Sequence, residues 1–202
     1  MPSDLRENIS QAARELYLSE GIEGFSMRKV AERVGVSAPA IYRHFRNRDE
    51  LLNEIVIEGL RILEGYLRPA LEEATPYARL RRMIDNYLEF ALEQPQYFDF
   101  AFLVPSRQNE AVEDEIARPD WATFRMAIEQ VAELSGDGTF ASDNPLELAI
   151  TVWAEVHGLV TLYRTGRFGP DAEMFREIFR SSVDRVLSGM MQQPAGVERA
   201  AD

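Results

Sequence analysis

The 202-residue chain contains no cysteine. Disulfide scaffolds, zinc thiolate centres and cysteine nucleophiles are therefore excluded. Histidine is nearly as scarce, with His44 and His157 alone, so a histidine-rich metal site is not expected. No stretch approaches eighteen uncharged apolar residues, and no membrane span is expected. Residues 1–8 are polar and lack the apolar core of a signal peptide. These absences together describe a soluble, cytoplasmic protein. Catalytic signatures are missing too: there is no GxGxxG, Walker loop, GxSxG or HExxH. Glu155 and His157 stand two residues apart, an offset that points them away from each other on a helix. Glu113, Asp114 and Glu115 read as solvated loop residues. No enzyme activity, metal or cofactor is expected.

The chain is also short of positive charge, with a net charge of −12. The shortage is uneven. Residues 26–48 hold Arg28, Lys29, Arg33, Arg43, Arg46 and Arg48 against Glu32 alone, a local balance of +5 that leaves −17 for the rest. A basic island in an acidic chain suits local phosphate contact. Chance clustering on a solvated face gives the same count, so charge alone does not decide.

What the sequence does have is helical periodicity. It is 46% hydrophobic, enough for a sizeable core, and strand signals are nearly absent. Leu5, Ile9, Ala12, Ala13, Leu16 and Tyr17 share one face of a first helix that Gly21 is placed to stop. Ser26 caps a second that buries Met27, Val30, Ala31 and Val34. Gly35 allows a sharp turn, and Ser37 caps a third helix in which Pro39 is tolerable near the start. Asn47 and Glu50 form a capping-box-like pair for a long fourth helix that Pro69 ends. Further helices are expected from Pro76, from Pro95, around Trp121, from Asn144-Pro145 to about Arg164, and from Pro170. Residues 105–119 read as an acidic loop and residues 192–202 as a disordered tail. The expected fold class is all-α, with about nine helices.

Residues 26–45 read SMRKVAERVGVSAPAIYRHF. Two short helices around Gly35-Val36-Ser37 have helix-turn-helix spacing. Ile41 and Phe45, four apart, anchor the second helix, which leaves Ala38, Tyr42, Arg43 and His44 outward. B-DNA's major groove is wide enough to admit such a helix.

This segment closely resembles the TetR family of regulators. The resemblance lies in Ser26, Val30-Ala31, Gly35-Val36-Ser37, Ile41-Tyr42, His44-Phe45, and Arg48 followed by Glu50-Leu51-Leu52, and covers about residues 5–55. The family often has Thr at the position of Ser26 and Lys at that of Arg48, changes that keep the hydroxyl and the charge. The resemblance implies a homodimer that binds a double-stranded operator. Ser26, Tyr42 and Arg48 would meet phosphates, and Arg28 can reach a base. Ser37, Ala38, Pro39, Arg43 and His44 would lie in or beside the groove. Each has an ordinary alternative: Tyr42 as a core aromatic, His44 as a helix brace, Arg28 as a solvated cation. The implied domains are 1–47 for DNA binding and 48–191 for ligand binding and dimerisation.

The larger region carries aromatic mass: Tyr66, Tyr87, Phe90, Phe98, Phe102, Trp121, Phe124 and Trp153. The resemblance implies a pocket for a small hydrophobic or aromatic effector here, with His157, Tyr87 or Arg125 as polar fixings, although each aromatic alone can be plain core. A subgroup of the family carries a Trp and then a His-Gly pair in its eighth helix, and WAEVHGL at 153–159 is similar. Gly158 inside a helix implies close packing, within the chain or across a dimer. Only Glu147 and Glu155 are charged between Leu146 and Tyr163, so this helix needs cover on most sides. The expected function is a repressor released by its effector. Alternatives are a regulator without ligand control, an activator, or a protein-interaction module.

Overall fold

The computed structural model of the chain describes residues 2–103, 121–141 and 144–191. The expected loop at 105–119 and tail at 192–202 lie outside the described residues. Nine α-helices stand among the described residues: α1 (Pro2–Gly24), α2 (Met27–Val34), α3 (Ala38–Ile41), α4 (Arg48–Leu67), α5 (Pro76–Glu93), α6 (Pro95–Leu103), α7 (Ala122–Gly136), α8 (Pro145–Arg164) and α9 (Ala172–Met190). A 3-10 turn, Arg68–Glu72, follows α4 and contains Pro69. Among the described residues the extended pairing is one isolated bridge, Phe140 with Met191.

Local chemistry sets most ends. Gly21 breaks the helical path of α1 at φ 67°. Ser26 caps α2 by accepting from the Lys29 N–H at 3.3 Å. Gly35 closes α2 at φ 78°, where an L side chain would be strained, and donates to the Ala31 carbonyl. Asn144 accepts from Glu147 N–H ahead of Pro145. The last helix differs from expectation: Asp171, rather than Pro170, starts it, its carboxylate accepting from Glu173 and Met174 N–H.

The chain divides into two compact units, and the division is not at residues 47 and 48. The first, here the head, holds α1, α2, α3, α4 as far as Leu63, and α6. The reason is the core: Leu51, Leu52 and Ile55 of α4 pack with Ile9, Ala13, Leu16, Val30, Ile41 and Phe45 in one buried cluster. Helix α6 joins it through Gln96, which donates to the Leu18 carbonyl, and through Tyr97, whose ring lies 3.4 Å from where a Cβ on Gly59 would stand.

The second unit holds the end of α4, the 3-10 turn, α5, α7, α8 and α9. Helix α5 packs on α7 and α8, and α8 on α9. Three ion pairs, Arg81–Asp184, Asp85–Arg180 and Glu89–Arg176, recur at one-turn steps and match α5 to an antiparallel α9. Phe175, Phe179, Val183 and Leu187 form the buried stripe of α9.

Candidate nucleic-acid interface and effector site

The reading segment is brief. Helix α3 has four residues, and its turn continues with the His44 N–H and Phe45 N–H both donating to the Ile41 carbonyl, at 2.9 and 3.0 Å. Ile41 and Phe45 are both fully buried. As the periodicity predicts, with those two facing in, Tyr42 is turned outward and is 52% exposed. Arg43, Pro39 and Ser37 are exposed, and Ala38 and His44 are half-buried. Ser37 occupies the cap position of α3, but its hydroxyl makes no capping bond, contrary to expectation.

The basic residues divide by environment. Arg28 is exposed and held only by a surface pair with Glu32 at 3.4 Å, a contact that costs little to exchange. Arg48, expected at a phosphate, donates to the Ile22 carbonyl at 3.0 Å and lies 5.6 Å over the Phe25 ring. It therefore closes the end of α1 as well. The expected capping box is half formed. Asn47 accepts from the Glu50 N–H at 2.8 Å, but the Glu50 carboxylate turns to the Arg46 N–H at 2.7 Å. That bond, with the Arg46 side chain, holds Glu50 below the usual carboxylate range. Arg6 is a site residue that the sequence does not reveal. It donates to the His44 carbonyl, pairs with Glu54 and stacks on Phe45. Its position on the polar side of an amphipathic helix gives no signal of a target so far along the chain.

The aromatic candidates separate into three groups. Phe98 and Phe102 pair with each other at 5.2 Å on α6, in the head. Helix α6 itself is attached to α1 and α4. Tyr66 meets Phe90 edge-on at 5.6 Å and donates to Glu93, while Phe90 is fully buried and is plain core. The third group comes together in the second unit. Trp121, Phe124 and Trp153 lie 5.3–5.8 Å apart, and His157 is 5.5 Å from Trp153 on the same face of α8. All four are half-buried, as is Arg125.

Tyr87 of α5 links to this group. Its hydroxyl lies 2.9 Å from His157 Nδ1. Burial pushes the phenol well above its ordinary range, with a hydrogen bond from Trp153 pulling the other way. An indole can only donate, so the Tyr87 oxygen accepts from Trp153, while donor and acceptor in the pair with His157 follow the tautomer of that ring. Burial lowers the His157 pKa, which favours the neutral ring. The arrangement is a wall of aromatic faces with a hydrogen-bonded polar end, the composition of an apolar small-molecule site. Glu155 points elsewhere, accepting from Ser182 at 2.6 Å.

Helix α8 also carries an uncovered apolar surface. Ile150 and Leu162 are 37% and 45% exposed, and Met174 of α9 is 45% exposed. Helix α8 is long and apolar, with mean hydropathy 1.2 over an 18-residue window. Just 22% of that window is buried within the protomer. Among the described residues, a Cβ on Gly158 would meet nothing within 4 Å.

Residues 9–55 match the family model described as bacterial regulatory proteins, tetR family. Residues 80–186 match that of the tetracyclin repressor-like C-terminal domain. The chain is 28% identical over 109 residues to the uncharacterized HTH-type transcriptional regulator YobS of Bacillus subtilis, covering 54% of this chain and 57% of that protein. It is 36% identical over 69 residues to the class D tetracycline repressor protein of Escherichia coli, covering 34% and 32%. The chain thus spans about half the length, or less, of the curated relatives it matches. A solved protein of unknown function from Rhodococcus sp. RHA1 superposes with TM-score 0.75 at 25% identity, covering 93% of this chain and 96% of that one.

Proposed function

Because the chain belongs to the tetR family of bacterial regulatory proteins, we propose that it is a transcriptional repressor that binds a palindromic operator as a homodimer and leaves it when a small hydrophobic or aromatic effector binds. The observation that carries the DNA reading is the arrangement of α3: Tyr42 and Arg43 stand exposed on a turn whose other side is sealed by Ile41 and Phe45. Tyr42 and Ser26 serve phosphates; Arg28, Arg43 and His44 read base edges. Arg48 divides its fork between the Ile22 carbonyl and the backbone of the operator. Similarity over 69 residues to a tetracycline repressor supports repression.

Dimerisation follows from α8. A helix this apolar and this little covered within its own protomer is matched by a second copy, and Gly158 leaves room for a partner's backbone. A two-fold dimer presents two reading segments one DNA turn, or a multiple of it, apart. The effector occupies the aromatic group around Trp153, with His157 and Tyr87 as its polar end. Its message to the head has two covalent routes: α4, which runs from the head into the second unit, and α6, which lies in the head between two helices of the second unit in sequence. An effector preferring the arrangement that does not fit DNA shifts the population by a coupling of ~1–3 kcal/mol.

The decisive experiment is salt-dependent anisotropy on a duplex selected by the protein from random sequence. Arg43→Ala with Tyr42→Phe is expected to weaken binding by ~1–3 kcal/mol for each base-edge interaction removed. Unchanged affinity in that double variant would show the reading surface to be wrongly assigned.

A further inference from the structure

We propose that Arg6 is a positioning residue for DNA reading: it clamps the carbonyl of His44 and so sets the angle at which residues 42–44 meet the groove. The proposal rests on the DNA-binding function above. Its starting point is the length of α3. Four residues lie far below the length at which a helix holds itself together, so orientation must come from tertiary contact. Ile41 and Phe45 supply depth, but apolar burial is non-directional and permits the short turn to roll about that pair.

A directional contact is present where it is needed. The His44 carbonyl is one of those that a helix end leaves without an intrahelical partner. The Arg6 guanidinium, coming from α1, donates to it. The same guanidinium pairs with Glu54 of α4 and stands 4.2 Å over the buried Phe45 ring. Ser10, one turn along α1, donates to the other Glu54 oxygen at 2.7 Å. One side chain therefore joins the backbone of the reading segment, its buried anchor and the helix that follows it. A planar fork with several donors and a stacking face can serve all three; a lysine can serve one.

Arg6 is 41% exposed, so the rival role is a phosphate contact, and the two differ in what they do to salt dependence. The test uses the full-length protein, the selected duplex and a random duplex. Arg6→Lys and Arg6→Gln are expected to lose roughly tenfold in affinity for the selected duplex. Affinity for random duplex should stay within about threefold, with the salt slope unchanged. Hydrogen exchange without DNA should quicken at the His44 and Phe45 amides and not at Val30. Glu54→Gln should act in the same direction, and the double variant should lose less than the sum of the singles. If Arg6→Gln fails to fold, Glu54→Gln carries the same measurements.

A salt slope reduced by about one would make Arg6 a phosphate ligand and overturn the proposal. So would equal losses on both duplexes, or exchange rates that do not move. A wild-type protein that selects no duplex overturns the DNA reading and this proposal together. An Arg6 variant that binds normally overturns this proposal alone.

Discussion

The rings behind the head's reading turn and the Trp153 group of the second unit are buried to different extents. In the head, Phe45 is fully enclosed and Phe25 nearly so, and each has an arginine laid across its face. In the second unit, Trp121, Phe124, Trp153 and His157 contact one another yet remain half-buried. A sealed core sets a depth: with Ile41 and Phe45 fully buried, Tyr42 and Arg43 are held at the surface. A half-open aromatic wall fixes nothing by itself and gains most when something covers it. The difference fits the roles proposed above, a surface presented by one unit and a guest received by the other.

The contrast predicts unequal costs for similar truncations. Phe45→Ala removes a fully buried ring and the seat of Arg6, and should cost ~3–5 kcal/mol in urea denaturation. Phe124→Ala in the second unit should cost about 1–2 kcal/mol, because much of that ring is already in contact with water. Equal costs would break the comparison. A protein carrying Phe124→Ala should still bind the selected duplex and lose its response to effector.

The second break point lies on α8. The Cβ of Gly158→Leu would meet nothing within 4 Å among the described residues. A helix interior favours leucine over glycine by up to ~1 kcal/mol, so the isolated protomer should gain stability. Across a dimer the added side chain has to displace a neighbour, and sedimentation should show dimer affinity lower by roughly ten- to a hundredfold. The opposite signs are the diagnostic: a variant that gains stability and dimerises normally places the interface elsewhere. Gly35→Ala comes next. At φ 78° an added Cβ costs ~1–2 kcal/mol, felt in the head alone and accompanied by weaker DNA binding as the turn into α3 shifts.

Much of the head is legible in the sequence because its determinants are local. Ile41 and Phe45 are one turn apart, Gly35 marks a left-handed residue, and Ser26 and Asn47 sit directly before the helices they cap. The attachment of α6 to the head is not legible. Periodicity shows which face of α6 is apolar, not which helix covers it, and so by sequence Phe98 and Phe102 group with rings of the other unit. The targets of Arg6 and Arg48 are hidden for a related reason. A long side chain can reach a carbonyl 38 residues away, as Arg6 does, and sequence distance carries no trace of it. In the second unit, Trp153 and His157 can be placed on one face, but Tyr87, 70 residues from His157, is joined to it only once the helices are packed.

The smallest expected effect tests the polar end of the aromatic wall. Burial lowers the pKa of His157 below its ordinary 6.5, while the unfolded chain keeps about the ordinary value. Between those two values the unfolded state binds a proton that the folded state does not. Stability is therefore greatest above the unfolded pKa and declines as pH falls through this window, levelling off below the folded value. Thermal midpoints recorded from about pH 7 to about pH 5 should carry this decline, and His157→Gln should remove that part of it. Tyr87→Phe sharpens the test. It deletes the hydrogen-bond partner of Nδ1 and leaves the ring buried, so the size of the decline should change without its vanishing. A pH dependence identical in all three proteins would mean that His157 is not held neutral in the folded state, and the aromatic wall would lose the polar end assigned to it.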